Sequence, residues 1–351
     1  MKQNTAQKGK ISVQKTGDIF TSVTTASSAY TNENGEMIVN PTTYTPVFAG
    51  GDLSGAVFQV KAKEDIITED GTVRAYAGDV VSEITTDENG YAETEPLYLG
   101  KYEVREIKAP YGYVLNNEPK DVELTYAGQE FEVRDTVNTA FENEYQGVRI
   151  SLSKVMENDE LFGIYGKDYY TSVRFGLFAS ENITAADVSV IPADGLLSEV
   201  SLDEDMTAKF DVQIPFGRYY VKEISTDEHY VLGGEKYLVN FEYMGQDLRT
   251  VDIDCGQFVN LLKRGRIEGH KVDDKSEPLE NAVFGLFTAD CVKFSRDTAI
   301  MTAVSDENGF FEFDDVPFGK YIVREIESPR GYILSGKEML SALQRTERLL
   351  R

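Results

Sequence analysis

The chain repeats one strongly patterned segment three times, and this repetition is the strongest constraint on its fold. The segment reads GKYEVREIKAPYGYVL at 100–115, GRYYVKEISTDEHYVL at 217–232 and GKYIVREIESPRGYIL at 319–334. Each copy begins with alternating residues rich in tyrosine, valine and isoleucine, which is typical of a β-strand. The sequence therefore predicts three related β-rich units.

A second strand and a hairpin turn accompany most copies. Matching strands lie upstream, AVFQVKA from Ala56, VRFGLFA from Val173 and AVFGLFT from Ala282. The pairs Asn89–Gly90 and Asn308–Gly309 are hairpin signals in the first and third units, whereas the second unit has a weaker turn. Long segments with helical periodicity are hard to find. The predicted fold is all-β, with tandem β-sandwiches of short strands.

The spacing of the copies predicts the domain boundaries. A chain of 351 residues is too long for one ordinary domain. We predict sandwiches over residues 9–146, 147–264 and 265–340, followed by an atypical tail over 341–351. The tail, SALQRTERLLR, is basic and rich in leucine and does not fit the acidic β pattern of the rest. The third sandwich is predicted to lack its last strand.

The composition excludes several classes of function. The chain has 60 acidic and 35 basic residues, and the resulting net charge of −25 disfavours binding to nucleic acid or to an anionic membrane. Neither a membrane span nor a signal peptide is predicted. Two cysteines are too few for a disulfide scaffold, and two histidines leave little material for a metal site. No cofactor or metal is therefore expected.

One strand face in the repeated segment carries both apolar residues and a carboxylate. Counting by twos from Tyr102 gives Val104 and Glu106, so Glu106 is predicted to point at the core. The corresponding residues of the other units are Glu223 and Glu325. A buried carboxylate costs several kcal/mol unless it is paired or neutralised. Each glutamate should therefore have a partner.

The partners are a lysine on the first strand and an asparagine on the last. The apolar face of each first strand ends in a lysine, at Lys15, Lys154 and Lys271. In the first two units the last strand places Asn143 or Asn260 on the same face as a preceding phenylalanine. Each asparagine precedes the lysine of the next unit by 11 residues. The first two units thus each direct a Lys, a Glu and an Asn inward.

Two interpretations fit such a triad. One is a buried salt bridge completed by an amide. The other is chemistry, because desolvation lowers the pKa of a lysine and raises that of a carboxylic acid, which leaves a neutral, nucleophilic amine. A protonated Glu could then hydrogen-bond the Asn oxygen, stabilise the tetrahedral intermediate and pass a proton to departing ammonia. The product would be a Lys–Asn isopeptide bond.

The segments YEVREIKAPYGY (102–113) and YIVREIESPRGY (321–332) resemble the E-box of Gram-positive pilins and of the collagen-adhesin B-type repeat. This repeat is also described as SpaA-like or prealbumin-like and occurs in sortase-anchored surface proteins. The resemblance extends from about residue 9 to 336. It implies tandem prealbumin-like (Ig-like) sandwiches at the cell surface or cell wall of a Gram-positive bacterium.

Carried over by position, the resemblance implies two crosslinks, each promoted by a glutamate. The residues are Lys15, Glu106 and Asn143 in the first unit and Lys154, Glu223 and Asn260 in the second. The third unit has Lys271 and Glu325 but no asparagine after Asn308, so Lys271 is expected to lack a crosslink partner and Glu325 to be idle. Its open strand edge is expected to weaken the unit or to recruit a strand from another molecule.

The first unit contains an insert, from about residue 16 to 53. About 40 positions separate Lys15 from Ala56, whereas 11 separate Lys271 from Ala282. The insert is rich in Thr, Ser, Asn and Gly with interspersed tyrosines, which indicates a surface hairpin or an Ω-like loop. It also resembles a recognition surface for a ligand or partner at its tip.

Two further signals are weaker. The sequence CGQ at 255–257 resembles the internal thioesters of some surface adhesins, which also join Cys to Gln. Two residues apart on an extended strand, the side chains of Cys255 and Gln257 are expected to face the same way, but the surrounding motifs of those domains are absent. The two DENG turns lack the remaining oxygen ligands of a calcium loop, so we interpret them as hairpin turns.

Two function classes remain. The favoured hypothesis is the structural stalk of a wall-anchored adhesin or pilin-like protein, with neighbouring repeats of the same protein as partners. The alternative is a module that binds a host extracellular-matrix protein or a glycan through the insert. A turnover enzyme is disfavoured, because the only assembled catalytic group would be consumed once.

Overall fold

The computed structural model describes residues 5–31, 35–130, 132–133, 136–336 and 338–343. Within these ranges the chain forms β-strands and one short 3-10 helix. No helix in the described ranges is long and apolar enough to cross a membrane. The all-β fold predicted from the sequence is confirmed.

The strands follow one another in three sets, one for each repeat of the sequence. The strands of the first repeat are β1 (Lys8–Gly9), β2 (Ile11–Ala26), β3 (Ala29–Thr31), β4 (Met37–Val39), β5 (Thr43–Asp52), β6 (Val57–Ala62), β7 (Ile66–Ile67), β8 (Val73–Ala75), β9 (Val80–Thr85), β10 (Tyr91–Glu93), β11 (Leu97–Tyr98), β12 (Gly100–Lys108), β13 (Lys120–Leu124) and β14 (Val137–Asn143). Those of the second are β15 (Gly147–Met156), β16 (Arg174–Ala179), β17 (Ile183–Thr184), β18 (Val190–Ile191), β19 (Leu196–Ser201), β20 (Thr207–Asp211), β21 (Gly217–Ser225), β22 (Tyr237–Phe241) and β23 (Thr250–Asn260), with the 3-10 helix at Lys167–Tyr170. Those of the third are β24 (Arg264–His270), β25 (Val283–Thr288), β26 (Met301–Val304), β27 (Phe310–Pro317), β28 (Gly319–Glu327) and β29 (Glu338–Leu343).

The first two repeats each pack two sheets against one another. In one sheet the first strand lies between an antiparallel hairpin strand and a parallel last strand, so that β2 lies between β10 and β14, and β15 between β20 and β23. In the other sheet the strand that carries the glutamate is flanked on both sides, in the orders β13-β12-β6-β9 and β22-β21-β16-β19. The inward faces of these two sheets form the core of a sandwich.

Apolar residues at alternate strand positions fill the space between the sheets. In the first repeat Val13, Phe58 and Val104 are fully buried, one from each of three strands. A second apolar cluster runs from the second repeat into the third, where the rings of Phe162 and Tyr321 meet edge to face at 5.7 Å. The second and third repeats therefore share a continuous core.

The insert of the first repeat is a long hairpin. Strand β2 continues past Lys15 and pairs antiparallel with β5, from Thr16 opposite Asp52 to Ala26 opposite Thr43. Strands β3 and β4 pair near its tip. The alternating threonine, valine and aromatic residues of this segment favour extended strands over a compact loop, so of the two forms indicated by the sequence the hairpin is the one found.

The hairpin also contacts the second repeat. Thr43 of β5 pairs in parallel with Leu196 of β19, an edge strand of the second repeat. The backbone N–H of Val23 donates to Ser189 Oγ at 2.8 Å. The hairpin thus covers an edge of the neighbouring repeat, which was not predicted from the sequence.

Polar side chains fix the two junctions between repeats. Gln146 is fully buried and accepts a hydrogen bond from Met244 N at 2.8 Å while donating to Leu248 O at 2.6 Å. At the second junction Arg264 Nη2 lies 2.9 Å from a carboxylate oxygen of Glu157. Each junction is therefore held by directed contacts as well as by apolar packing.

The described residues of the third repeat include a strand, β29, that reaches into the predicted tail, and they contain no counterpart of β14 and β23. Residues 341–343, which the sequence placed in an atypical tail, form the end of β29 and pair with β28; the tail prediction is wrong for them, because the segment EMLSAL continues the sheet. Residues 344–351 lie outside the described residues. By its pairing β29 corresponds to β13 and β22. Strand β24 pairs with β27, and no strand in the described ranges pairs with its other edge.

Candidate functional site

Each glutamate of the repeated segment points into its sandwich. Glu106, Glu223 and Glu325 are all buried. Each pairs in register with a phenylalanine of the adjacent strand, and the three phenylalanines are Phe58, Phe175 and Phe284. The inward direction predicted from the period of two residues is confirmed for all three.

In the first repeat the three predicted side chains contact one another. Lys15 Nζ lies 3.3 Å from Glu106 Oε1 and donates a hydrogen bond to Asn143 Oδ1. Asn143 Nδ2 donates to Glu106 Oε1 at 2.9 Å. The other carboxylate oxygen, Oε2, accepts the backbone N–H of Asn116 at 3.0 Å. First strand, middle strand and last strand therefore meet at one buried polar site.

The second repeat brings the corresponding side chains together, without the hydrogen bond from lysine to asparagine that Lys15 makes. Lys154 Nζ lies 2.9 Å from Glu223 Oε1, and Asn260 Nδ2 donates to the same oxygen at 2.9 Å. The backbone N–H of Gly233 donates to Oε2 at 2.9 Å. Thr226, from the loop that differs in sequence from the other repeats, accepts a second hydrogen bond from Asn260 Nδ2 at 2.9 Å. The changed loop thus supplies an extra contact to the amide.

Burial changes the proton affinities of these groups. Desolvation lowers the pKa of Lys15 from 10.5 and raises that of Glu106 from 4.5, and the attraction between the two charges opposes both shifts. Desolvation likewise lowers the pKa of Lys154. The rings of Phe58 and Phe141 lie 5.9 and 6.0 Å from Lys15 Nζ and give the amine an apolar surrounding. Both shifts in the first site favour a neutral amine beside a protonated acid.

One detail of the predicted chemistry needs correction. The sequence predicts a hydrogen bond from the glutamate to the asparagine oxygen. In the structure Oε1 of Glu106 contacts the amide nitrogen of Asn143, and the lysine contacts the oxygen. The carboxyl group is therefore placed to protonate the leaving nitrogen, and the lysine amine lies next to the amide that it would attack.

A tyrosine in the repeated segment belongs to the site, and the sequence argument missed its role. The hydroxyl of Tyr113 donates to Asp18 O at 2.8 Å, and that of Tyr230 donates to Glu157 O at 2.9 Å. Both acceptors lie three residues after the lysine of their site, Lys15 or Lys154. The signal was available, since a tyrosine occupies this position in every copy of the segment, including Tyr332.

The third repeat brings only two of the groups together. Lys271 Nζ lies 3.0 Å from Glu325 Oε2, which also accepts the backbone N–H of Ser335 at 3.0 Å. Oε1 of Glu325 has no hydrogen-bond partner among the described residues. Lys271 thus has an ionic partner, and an asparagine counterpart is absent from the described part of this site.

The weaker sequence signals do not form sites. Gly256 has a φ of 74° at an irregularity in the pairing of β15 with β23, so Cys255 is buried while Gln257 is exposed. The expectation that both side chains face the same way is therefore wrong. In the first DENG turn Oδ1 of Asp87 accepts the backbone N–H groups of Asn89 and Tyr91. Among the described residues no group of His, Cys, Asp or Glu could hold a metal ion.

The SpaA prealbumin-like fold domain is the protein family whose model matches this chain, over residues 49–139 and 265–347. The first and third repeats therefore contain SpaA-like domains. The family model does not extend over the second repeat, yet that repeat has the same strand pairing and the same buried triad as the first. The predicted relationship to SpaA-like, prealbumin-like surface proteins is confirmed.

Known proteins agree with this assignment. The curated trypsin-resistant surface T6 protein of Streptococcus pyogenes serotype M6 is 32% identical over 80 residues, which are 23% of this chain and 14% of that protein. This chain therefore matches only a small part of that relative. Among solved structures, the Bacillus anthracis TIE protein superposes with a TM-score of 0.59 at 19% identity, over 92% of this chain and 56% of that chain. BcpA, the major pilin subunit of Bacillus cereus, gives a TM-score of 0.35 at 16% identity over 97% of each chain. The chain thus shares its fold with the Bacillus anthracis TIE protein.

Proposed function

We propose that this chain is a structural stalk segment of a Gram-positive cell-wall-anchored adhesin or pilin-like protein, in which two SpaA-like repeats crosslink themselves. The stalk comprises successive domains over 9–146, 147–264 and 265–340, the last extended by the rest of β29. The observation that carries the proposal is the contact of a lysine, a glutamate and an asparagine at the same place in two repeats.

The reaction uses only the groups of each triad. In the first repeat the neutral Nζ of Lys15 attacks Cγ of Asn143, and a C–N bond forms. The amine loses a proton, the protonated Glu106 delivers one to Nδ2, and ammonia leaves as the original C–N bond breaks. Glu106 finishes as it began, with its proton replaced by the one that the amine lost. Because lysine and asparagine are consumed, the site acts once and is not a turnover enzyme.

The crosslinks suit a stalk because of the loops that they close. Lys15 and Asn143 are 128 positions apart, and a crosslink over such a loop stabilises by about 4 to 5 kcal/mol on the chain-entropy model. An amide is not reducible, so the crosslink needs no oxidising environment. A pulling force applied to the first and last strands would load the covalent bond rather than the hydrogen bonds between strands.

The intact mass of the denatured chain tests the proposal. We expect a mass lower than the calculated one by two ammonia molecules, one for each of the first two repeats. Glu106→Gln should reduce the deficit to one, whereas the control Glu103→Gln, three residues earlier on β12 and outside the triad, should leave it at two. A mass equal to the calculated one would mean that both triads are only buried polar networks.

The insert hairpin supports a second candidate function, the binding of a host extracellular-matrix protein or a glycan. Near its tip Met37 and Val39 are 74% and 65% exposed and form an apolar surface. Replacing residues 29–39 with a short turn should abolish binding in a panel of matrix proteins and glycans. The replacement should start beyond the hydrogen bond from Asn40 N to Ser28 O, so that the base of the hairpin stays on the second repeat. Unchanged binding, or no binding by the intact chain, would reject this function.

A further inference from the structure

A loop of the first repeat sets the orientation of the carboxyl group in its triad. Residues 109–116, which we name the closing loop, follow β12 and end at Glu106. The last residue of the loop, Asn116, donates its backbone N–H to Glu106 Oε2 at 3.0 Å. This contact leaves Oε1 as the oxygen that faces the Asn143 amide. A shift of the closing loop would therefore let the carboxyl group turn away from the amide.

One residue of the second repeat holds both ends of the closing loop. Gln246 lies between β22 and β23. Its side-chain Oε1 accepts the backbone N–H of Ala109, the first residue of the loop, at 2.9 Å. Its backbone oxygen accepts the N–H of Leu115, next to Asn116, at 2.9 Å. The loop that orients the carboxyl group is thus fixed from the neighbouring repeat.

The middle of the closing loop also rests on the second repeat. The rings of Tyr111 and Tyr243 meet edge to face at 4.8 Å, and the Tyr243 hydroxyl donates to Tyr113 O at 3.1 Å. A Cβ added to Gly112 would lie 3.0 Å from the ring of Phe216, so the glycine allows this close approach. Docking of the second repeat therefore supports the whole length of the loop.

Solvent comes close to the triad where the two repeats meet. A cleft of about 530 Å³ lies beside Asn143, and its walls are residues 114–116, residues 142–144 and Arg249. Displacement of the closing loop would extend this cleft to Glu106 and admit water. Desolvation is the main cause of the raised pKa of Glu106 and of the lowered pKa of Lys15. Entry of water would therefore weaken both shifts.

We propose that Gln246 is a positioning residue for the crosslink of the first repeat, which it promotes by holding the closing loop over Glu106. The inference rests on the crosslinking chemistry proposed above. Gln246 takes no part in proton transfer, and the bonds formed and broken are those of that reaction. The first repeat is synthesised before the second, so its crosslink waits until the second repeat has folded and docked. The bond then locks only chains in which this junction is formed.

The second crosslink provides an internal comparison. The loop that follows β21 is supported by its own repeat, because the ring of Tyr169 packs edge to face on His229 and Tyr230 at 5.4 and 5.8 Å. Gln246 precedes β23, whereas Asn260 is the last residue of that strand. A substitution at Gln246 is thus separated from the second triad by the length of β23. The two crosslinks should respond differently to it.

The rate of each crosslink in the full chain tests the proposal. The chain is synthesised in a cell-free system, and samples are denatured at successive times and digested. Mass spectrometry then gives the fraction of Asn143 and of Asn260 that is joined to a lysine. Gln246→Met keeps a similar side-chain length and removes the acceptor. We expect the half-time of the first crosslink to rise about five- to tenfold, the effect of one hydrogen bond, and that of the second to stay unchanged.

Two further variants distinguish positioning from general damage. Gln246→Glu keeps an oxygen that can accept the Ala109 N–H and should restore the rate of the first crosslink. Asp247→Ala, at the exposed next residue, should change neither rate. Slowing of both crosslinks in Gln246→Met would mean that the second repeat itself is damaged and would overturn the proposal. Slowing of the first crosslink without rescue by Gln246→Glu would overturn it as well.

The unaltered chain separates this inference from the proposed function. Two crosslinks that form in the unaltered chain and at the same rates in Gln246→Met would overturn the positioning role and leave the self-crosslinked stalk intact. Absence of both crosslinks from the unaltered chain would overturn the stalk chemistry, and the positioning role with it. Selective slowing of the first crosslink would support both.

Discussion

Glu106 Oε1 and Asn143 Nδ2 lie 2.9 Å apart although the two residues belong to different sheets of the sandwich. Glu223 and Asn260 repeat the same distance between the same atoms. The loops that follow the two glutamates differ in sequence, APYGY in one repeat and TDEHY in the other. The contact is therefore set by the packing of the sheets, and the loop adds to it.

Loss of the asparagine should destabilise the second repeat strongly. Asn260→Ala prevents the proposed crosslink and should lower the free energy of unfolding by about 4 kcal/mol, because the unfolded chain regains the entropy of a long open loop. Unfolding in guanidinium, followed by far-UV circular dichroism, measures the change in the free energy of unfolding. Asn240→Ala, on the exposed face of β22, is the matched control and should change stability little. Equal effects of the two variants would contradict a covalent link.

Loss of the tyrosine hydroxyl that hydrogen-bonds to the backbone three residues after the lysine should lower stability, by less than loss of the asparagine does. Tyr113→Phe removes the hydrogen bond to Asp18 O and should lower the melting temperature, since such a bond is worth about 0.5 to 1.5 kcal/mol. Tyr332→Phe is the matched control, because that side chain is half exposed. Thermal unfolding of both variants provides the comparison. A larger loss from Tyr332→Phe would contradict the role assigned to the Tyr113 hydroxyl.

Thiol labelling tests whether Cys255 is held in a thioester. Burial raises the pKa of Cys255 from 9.0 to about 11, so its thiolate fraction is lower than that of an ordinary cysteine at every pH below that value. At pH 8 the folded chain should therefore react with iodoacetamide at Cys291 and not at Cys255. After denaturation both thiols should react. A single reactive thiol in the denatured chain would indicate a blocked Cys255, and part of any ammonia deficit would then belong to a thioester.

The alternation of residues along single strands predicts the buried triads. It does not predict contacts between repeats. The direction of Glu106 follows from the alternation of a regular strand. The same rule failed at Cys255 and Gln257, because Gly256 adopts a positive φ and shifts the alternation by one residue. The docking of β5 on β19 depends on how two repeats sit together, which no local pattern encodes. The pairing of residues 341–343 was hidden by the basic character of the residues that follow.

Removal of the insert hairpin should weaken the second repeat as well as the first. Deleting residues 21–48 and closing the gap with a turn uncovers the edge of β19 and removes the contact of Phe48 with Tyr145. Hydrogen exchange of β19 amides should then become faster. Replacing only residues 29–39 is the control and should leave these amides protected, because no described residue of the tip pairs with β19. Equal protection in both variants would show that the hairpin does not support the second repeat.

Mechanical stretching of single molecules tests the stalk proposal most directly. A chain pulled from its two ends extends only by the residues that lie outside covalently closed loops. The first loop spans 128 positions from Lys15 to Asn143, and the second spans 106 from Lys154 to Asn260 (260 − 154). Single-molecule pulling should therefore release only the third repeat and the termini, at low force. Glu106→Gln should add one unfolding step whose length corresponds to the first loop, because the hydrogen-bonded strands can then separate. Full extension of the unaltered chain at low force would mean that neither loop is closed.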